Sequence, residues 1–149
     1  MRDYIIFTIK KSSYAIAVDQ IERISMISHL TPIPNSHPFV DGMMLYRNQT
    51  IKVVNFRKMI GMEGDEEGSG QEGIGAHQQK MLIYQSKEGF LGVKVDAIQD
   101  IAQIDESALK HYAHTVNVGN YLETLGVIEY KNRLVIVIGA LKIPSEEVA

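Results

Sequence analysis

Cysteine is absent from this chain of 149 residues, and basic residues are not in excess. Without cysteine there is neither a disulfide framework nor thiolate chemistry, as is typical of proteins in a reducing compartment. The 15 Lys and Arg are outnumbered by 18 Asp and Glu, so the net charge is -3 and the pI lies near 5.9. Nucleic-acid-binding proteins concentrate cations into a stripe that neutralises phosphates, whereas the basic residues here are scattered. The composition therefore argues against nucleic acid as a partner.

Long apolar runs are missing as well. The first run, Tyr4–Phe7, is soon followed by Lys10 and Lys11, and the longest later run, LVIVIGAL, spans residues 134–141. The first is too short for a signal peptide and the second is too short to span a membrane. The hydrophobic fraction of 45% and the charged fraction of 22% are ordinary for a soluble globular protein. We therefore expect a cytoplasmic protein.

The sequence contains an internal duplication. Residues 42–55, GMMLYRNQTIKVVN, match residues 126–139, GVIEYKNRLVIVIG, at an offset of 84. Residues 4–27 match residues 81–104 at an offset of 77. Two matches in the same order indicate two related units and not a solenoid, because solenoids need at least about three repeats.

Short segments rich in Ile and Val, bounded by Gly, Ser, Asn or charged residues, predict a mainly β fold. Helices are few, with short ones predicted at residues 56–61 and 105–113 and a final turn at 144–149. Each repeat has the size of a small antiparallel barrel of about five strands. Units this small are marginal alone, so we expect one domain over 1–149, with repeats at about 1–61 and 79–149 that share a core.

The segment between the repeats, residues 62–78, is Gly-rich and acidic, and its composition predicts a mobile linker. It contains Gly68, Gly70 and Gly73 in the pattern G-x-G-x-x-G, which formally matches a dinucleotide-binding motif. That motif needs a strand before it and a helix after it, and the neighbouring carboxylates would repel a pyrophosphate. We interpret the glycines as part of the linker.

Other motifs give only weak signals for chemistry. His111 and His114 are three residues apart, but no third ligand stands at a fixed spacing, so a polar helix surface is favoured over a metal site. No Ser lies in a G-x-S-x-G elbow. Asp19 and Asp96 occupy the same place in both repeats, which favours a role in capping the turn after a strand over catalysis. We therefore expect no enzyme activity, no metal and no cofactor.

Residues 14–61 resemble the CheW-like family, the coupling proteins of bacterial chemotaxis arrays. Residues 80–105 and 125–138 look like the second subdomain of that family. The matching features of the first stretch are Ile21 and Ile24, the sequence Thr31-Pro32-Ile33-Pro34-Asn35, Gly42 at the opening of a strand, Arg47 at its end, and Arg57 after the next strand.

The chain departs from the family pattern at three places. Asn48 stands where the family has Gly, and Asn also tolerates the positive φ that a tight turn needs. Asn55 stands where Asp is usual, and Gly139 stands where the second subdomain commonly has Asp. These departures are compatible with the implied fold. They leave open which array the protein serves.

The resemblance implies two intertwined SH3-like five-stranded β-barrels and a non-enzymatic adaptor. It implies coupling of the cytoplasmic tips of chemoreceptors to the regulatory domain of a CheA-type histidine kinase, in arrays at the inner face of the membrane. A surface Arg is usually a solvated charge, so a partner role for an Arg here comes from the resemblance alone. The implied partner-binding residues are Ile21, Arg23, Ile24, Gly42, Arg47, Asn48 and Arg57.

The two repeats carry unlike residues at matching positions, which indicates separate interfaces for two partners. These unlike pairs are Leu45 and Glu129, Lys52 and Ile136, and Arg57 and Leu141.

Two alternatives stay open: a scaffold of the same fold in a paralogous motility or two-component pathway, and a small ligand-binding barrel or enzyme. The second would need convergent polar groups in a pocket, and the sequence shows none.

Overall fold

A computed structural model describes residues 2–61, 80–86, 89–110 and 121–142. These segments form ten strands, one short helix and two 3₁₀ turns. The strands are β1 (Arg2–Ile9), β2 (Ser12–Ala17), β3 (Ile21–Met26), β4 (Val40–Tyr46), β5 (Gln49–Asn55), β6 (Lys80–Ser86), β7 (Gly89–Val95), β8 (Ala97–Ile104), β9 (Leu122–Tyr130) and β10 (Arg133–Leu141). The helix α1 is Phe56–Met59, and the 3₁₀ turns are Val18–Gln20 and Glu106–Ala108.

The strands form two five-stranded sheets with the same plan. Sheet A has the order β8-β1-β2-β10-β9, and sheet B has the order β3-β6-β7-β5-β4. When β1 to β5 are matched with β6 to β10, both sheets have the order third, first, second, fifth, fourth. The mainly β fold with two five-stranded units is confirmed, and we call the units built on the two sheets lobe A and lobe B.

Each repeat lends its first hairpin to the sheet of the other repeat. The β1–β2 hairpin lies between β8 and β10, and the β6–β7 hairpin lies between β3 and β5. The intertwined lobes that the resemblance implies are confirmed, whereas the expectation from residue patterns that each repeat forms its own antiparallel barrel is wrong in two respects. Each sheet combines strands of both repeats, and each contains one parallel pair, β10 with β2 or β5 with β7.

The exchanged hairpins are apolar on both faces, which explains why they need cover from both repeats. On β1, Ile5, Phe7 and Ile9 belong to the buried cluster between the sheets, whereas Tyr4 and Ile6 belong to the interior of lobe A. The β2 and β6 strands divide their buried residues in the same way, whereas the buried Leu91, Val93 and Val95 of β7 all belong to the cluster between the sheets and only the half-buried Phe90 packs into lobe B. The cluster between the sheets is the largest in the described part of the chain, so it holds the two lobes together.

The chain passes between the sheets at two places. Val18–Gln20 leads from β2 of sheet A to β3 of sheet B, and Asp96 alone leads from β7 of sheet B to β8 of sheet A. All other connections join strands of one sheet. Asp19 and Asp96, which hold the same place in the two repeats, therefore lie at the two crossovers.

The short helix predicted at residues 56–61 is confirmed. The side-chain oxygen of Asn55 accepts hydrogen bonds from the backbone N–H groups of Arg57 at 3.0 Å and Lys58 at 3.4 Å. Asn55 thus supplies the N-terminal cap that an Asp would also supply. Gly61 follows the helix with a φ of 80°, a conformation that suits glycine after a helix end.

The helix predicted at residues 105–113 is wrong where the structure describes the chain. Asp105 caps only the 3₁₀ turn Glu106–Ala108, and Leu109 is already extended. Lys110 then pairs with Val127 in a β-bridge, which competes with helix formation. The rest of that segment with His111 and His114, the linker at 62–78 and the turn at 144–149 lie outside the described residues.

Candidate partner-binding surfaces

Three of the predicted partner-binding residues lie on β3, an edge strand of sheet B. Ile21 and Ile24 are half-buried and pack against the cluster between the sheets, and Ile21 also lines a small apolar cavity there. Arg23 is exposed, and the strand has a bulge between Ile21 and Arg23. The strand therefore presents apolar side chains and a cation at the seam between the lobes.

The turn between β4 and β5 holds Arg47 and Asn48 with φ values of 51° and 66°. Two successive residues with positive φ are the signature of a type I′ turn in a two-residue hairpin. The prediction of positive φ at Asn48 is confirmed. The left-handed conformation of Arg47 was not predicted, and it costs about 1–2 kcal/mol for a residue with a Cβ.

The Arg47 side chain links the two edges of sheet B. Its Nη1 donates to a carboxylate oxygen of Glu22 at 2.7 Å, and its guanidinium carbon lies 5.3 Å from the centroid of the Tyr46 ring. Glu22 is on β3 and Arg47 follows β4, which are the opposite edge strands of the sheet. The Arg47 side chain is 54% exposed, so its charge is still accessible to a partner.

Lobe A repeats this arrangement with other residues. Lys131 and Asn132 have φ values of 53° and 67°, and the Nζ of Lys131 lies 3.3 Å from a carboxylate oxygen of Asp100 on β8. The Tyr130 hydroxyl donates to the same carboxylate. This hydroxyl, the backbone N–H of Ile101 and the Lys131 ammonium lower the pKa of Asp100 below its ordinary value. Both lobes therefore present a cationic turn paired to a carboxylate on the opposite edge strand.

Gly42 has a packing role in the structure. Its φ is 151°, and a Cβ at this position would lie 2.7 Å from the carbonyl oxygen of Thr31. Gly126, at the matching place in lobe A, has a φ of 152°, and a Cβ there would lie 2.8 Å from the carbonyl oxygen of Lys110. At each glycine, a β-bridge brings the preceding loop against the strand. The close backbone approach accounts for Gly42 without a partner.

Arg57 is held at the crossover between the sheets. Its Nε and Nη2 donate to the two carboxylate oxygens of Asp96 at 3.0 Å and 2.9 Å. The same carboxylate accepts the backbone N–H of Lys10 at 2.7 Å. The structure thus brings Arg57 together with Asp96, a residue that the sequence interpretation assigned only to a turn.

Lobe B has an exposed apolar surface around Leu45, which the sequence interpretation named as an exterior residue. Leu45 of β4 is 69% exposed, and Met26 at the end of β3 is also exposed. Strand alternation accounts for the exposure of Leu45, because its neighbours Met44 and Tyr46 face the interior and Leu45 must then face solvent. A shallow depression of this surface is lined by Ser28, His29, Thr31, Met43, Met44, Leu45 and Thr50.

Lobe A has different chemistry at the positions that match this surface. Leu45 corresponds to Glu129, which is exposed. Thr50, also exposed, corresponds to Leu134, which is 67% exposed. The exposed leucine therefore lies on the fourth strand of the repeat in lobe B and on the fifth strand of the repeat in lobe A.

Two other pairs of unlike residues, which were expected to differ at the surface, have half-buried members in lobe A. Ile136 and Leu141, the counterparts of Lys52 and Arg57, are half-buried and pack against the cluster between the sheets. Their divergence therefore reflects packing between the lobes and not a difference between two exposed surfaces.

Across the described segments, no group of three or more His, Asp or Glu side chains is arranged to hold a metal ion. In the same segments, no helix is long and apolar enough to cross a membrane.

The family of the chain follows from comparison with known proteins. A family model described as the CheW-like domain matches residues 3–147. This chain belongs to the CheW-like family. It is 28% identical to the Chemotaxis protein CheW of Thermotoga maritima over 140 residues, which cover 94% of this chain and 85% of the relative. It is 20% identical to the Chemotaxis protein CheW of Rhizobium meliloti over 147 residues, which cover 98% of this chain and 90% of the relative.

The fold of this CheW-like chain is similar to a solved structure, the crystal structure of scaffolding protein TtCheW from Thermoanaerobacter tengcongensis. The TM-score is 0.77 at 19% sequence identity, and the match covers 92% of this chain and 83% of that chain. The family resemblance of residues 14–61 is thus confirmed. The structural match covers 92% of this chain, so it includes both lobes.

Proposed function

We propose that this CheW-like chain is a non-enzymatic adaptor that couples the cytoplasmic tips of chemoreceptors to the regulatory domain of a CheA-type histidine kinase. Membership of the CheW-like family and the relatives named as chemotaxis proteins support the pathway. The observation that carries the adaptor role is the unlike exterior of two lobes with the same fold, seen at Leu45 and Glu129. Lobes of one fold with different exposed chemistry give one molecule two docking faces.

The receptor tip is assigned to the seam along β3. A receptor helix buries an apolar stripe in a groove, and the half-buried Ile21 and Ile24 offer apolar contact there. Exposed Arg23 and the Arg47 turn place cations beside this apolar surface, which would favour a receptor segment with acidic side chains flanking its apolar stripe. Arg47 and Asn48 are thus assigned to the rim of this site.

The kinase domain is assigned to the strand that follows Asn48 and to lobe A. Leu134 is the most exposed large apolar residue of lobe A in the described segments, and Lys131 and Glu129 surround the same β9–β10 turn with charges of both signs. An apolar residue with a charged rim is the usual anatomy of a protein interface. The two partners then occupy different parts of the molecule.

In this role the protein transmits a conformational preference without chemistry of its own. Receptor and kinase are held together, and a receptor conformation that binds the adaptor–kinase assembly more tightly shifts the kinase equilibrium by that difference in affinity. Association with receptor arrays at the inner face of the membrane follows from the receptor contact.

The proposal is tested by titrating the labelled chain with a purified kinase regulatory domain and, separately, with a receptor-tip fragment. We expect saturable binding of each. Arg23→Glu should weaken receptor binding at least about tenfold, which is about 1.4 kcal/mol, and leave kinase binding unchanged. Leu134→Lys should instead weaken kinase binding and leave receptor binding unchanged. Failure of the wild-type chain to bind either fragment, or equal losses of both affinities in both variants, would contradict the proposal.

A further inference from the structure

We propose that Arg57 and Asp96 form a clasp that fixes the orientation of lobe A relative to lobe B, and that this clasp couples the two partner sites. The coupling part rests on the proposed adaptor function. The orientation part rests on the geometry of the crossover alone.

The contact between the two side chains is stronger than an ordinary surface ion pair. The guanidinium and the carboxylate make two parallel hydrogen bonds of 3.0 Å and 2.9 Å. The Arg57 and Asp96 side chains are only 23% and 27% exposed, so water and salt screen the pair less than an exposed one. Bidentate, charge-assisted bonds of this type also fix the relative orientation of the two groups.

The carboxylate of Asp96 connects elements of both lobes. Asp96 is the entire crossover from β7 of sheet B to β8 of sheet A. Its carboxylate accepts the Lys10 backbone N–H in the β1–β2 turn of sheet A, and its own backbone N–H donates to the Thr8 carbonyl of β1 at 3.2 Å. Arg57 belongs to α1, which directly follows β5 of sheet B. A rotation of one lobe against the other must therefore disturb at least one of these bonds.

The second crossover is fastened to lobe A, because the side-chain amide of Gln20 donates to the Gly139 carbonyl of β10 at 2.9 Å. Val18–Gln20 is three residues long, and the Asp19 side chain within it is 65% exposed. Asp19 pairs with Arg2 at 3.2 Å, but Arg2 lies on β1 of sheet A, so this pair does not reach lobe B. The repeat thus places an Asp at both crossovers, and of these two side chains that of Asp96 joins one lobe to the other. The geometry makes Val18–Gln20 the more compliant connection.

The position of β3 explains why lobe orientation matters for coupling. β3 follows the compliant crossover directly and carries the proposed receptor contacts, whereas the proposed kinase contacts include lobe A. A receptor contact that shifts the orientation of lobe B alters kinase affinity only if lobe A moves with it. Without the clasp, the apolar cluster still holds the lobes together, but its contacts are less directional than a bidentate pair, so the range of orientations widens and the coupling free energy between the sites falls.

The orientation part is tested by a distance measurement, which the absence of native cysteine makes simple. Leu45→Cys in lobe B and Leu134→Cys in lobe A introduce spin-label sites at residues that are 69% and 67% exposed. We expect one narrow distance distribution in the labelled wild-type background. Asp96→Asn should broaden it, while Asp19→Asn, the same change at the matching crossover, should leave it unchanged.

Arg57→Gln and Arg57→Lys are measured in parallel, so that a folding defect in one variant does not decide the result. Arg57→Gln should broaden the distance distribution as Asp96→Asn does. Arg57→Lys should broaden it less than Arg57→Gln, because Lys keeps the charge but not the bidentate geometry. Distributions for Asp96→Asn and Arg57→Gln identical to that of the wild-type background would overturn the clasp.

The coupling part is tested with the kinase regulatory domain and the receptor-tip fragment on unlabelled protein. The coupling factor is the ratio of kinase affinities measured with and without saturating receptor fragment. Asp96→Asn should bring this factor at least threefold closer to one, while each affinity measured alone changes less than about twofold; Asp19→Asn should change neither. An unchanged factor despite broadened distances would overturn the coupling, and so would a wild-type factor of one. If the wild-type chain bound neither fragment, the adaptor function itself would fail, and the distance result would still decide the clasp.

Discussion

Glu22 and Arg47 lie on opposite edges of one five-stranded sheet, and their side chains meet at 2.7 Å. Asp100 and Lys131 make the equivalent contact in the other lobe at 3.3 Å. Both cations are more than half exposed, and exposed ion pairs contribute no more than about 1 kcal/mol to stability. The pairs therefore do more to position charge at the turns than to hold the barrels closed.

Reversal of the charge at Arg47 should separate binding from folding. Arg47→Glu places a carboxylate opposite Glu22, so it should lower the free energy of unfolding by about 1 kcal/mol or less and weaken receptor-fragment binding at least about tenfold. Titration and urea denaturation measure the two effects. Lys131→Glu, the matching change in lobe A, is the control and should leave receptor affinity intact. Unchanged affinity in folded Arg47→Glu protein would remove Arg47 from the site.

A side chain at Gly42 should destabilise the protein more than one at Gly61. Both glycines have positive φ, but a Cβ at Gly42 would lie 2.7 Å from a backbone oxygen, whereas a Cβ at Gly61 meets no atom within 4 Å. We expect Gly42→Ala to cost about 2–4 kcal/mol of unfolding free energy and Gly61→Ala about 1 kcal/mol. Chemical denaturation compares them, and equal losses would show that the close approach to Thr31 does not constrain position 42.

Sequence patterns predicted the elements of this fold better than their arrangement. Most strands, the short helix predicted at residues 56–61 and the positive φ of Asn48 depend on nearby residues, and all are present, although the helix ends at Met59. The duplication is read directly from the sequence, and the two sheets share one strand order. The residue patterns did not predict the exchange of hairpins, because apolar residues on both faces of β1 show that it is covered but not which repeat covers it; only the family resemblance implied intertwined barrels. The same limit applies to Arg57 and Asp96, which are 39 residues apart. The place of each residue within its own repeat carries no information about that contact.

The Tyr4 hydroxyl should make stability sensitive to alkaline pH. It donates to the Glu106 carboxylate at 2.6 Å, and burial together with that carboxylate raises the pKa of Tyr4 from 10.0 to about 12. A raised pKa in the folded state means that the stabilisation is fully present below about pH 10 and is lost as pH rises towards 12.

The measurement is the unfolding free energy of wild type and Tyr4→Phe by urea denaturation between pH 7 and pH 12. The advantage of the wild type should be constant up to about pH 9 and should shrink above pH 10. In a Glu106→Gln background, where the carboxylate is absent, the alkaline dependence should be weaker. An advantage that persists unchanged to pH 12 would contradict the assignment.

The exchanged hairpins predict that neither half of the sequence folds alone. Residues 1–61 contain the β1–β2 hairpin, but both of its neighbours, β8 and β10, belong to residues 80–149. Each fragment expressed separately should lack cooperative unfolding, and an equimolar mixture should recover the circular dichroism spectrum and thermal transition of the intact chain. A cooperative transition in either isolated fragment would show that the fragment folds without the strands of the other half, which would contradict the prediction.

Simultaneous binding of two partners is the central requirement of an adaptor. The decisive measurement mixes the purified chain with a kinase regulatory domain and a receptor-tip fragment, and determines the mass of the assemblies by sedimentation or light scattering. We predict a complex that contains all three components, and we predict that excess receptor fragment does not release the kinase domain. Displacement of one partner by the other would contradict the adaptor function, even if each partner bound the chain when offered alone.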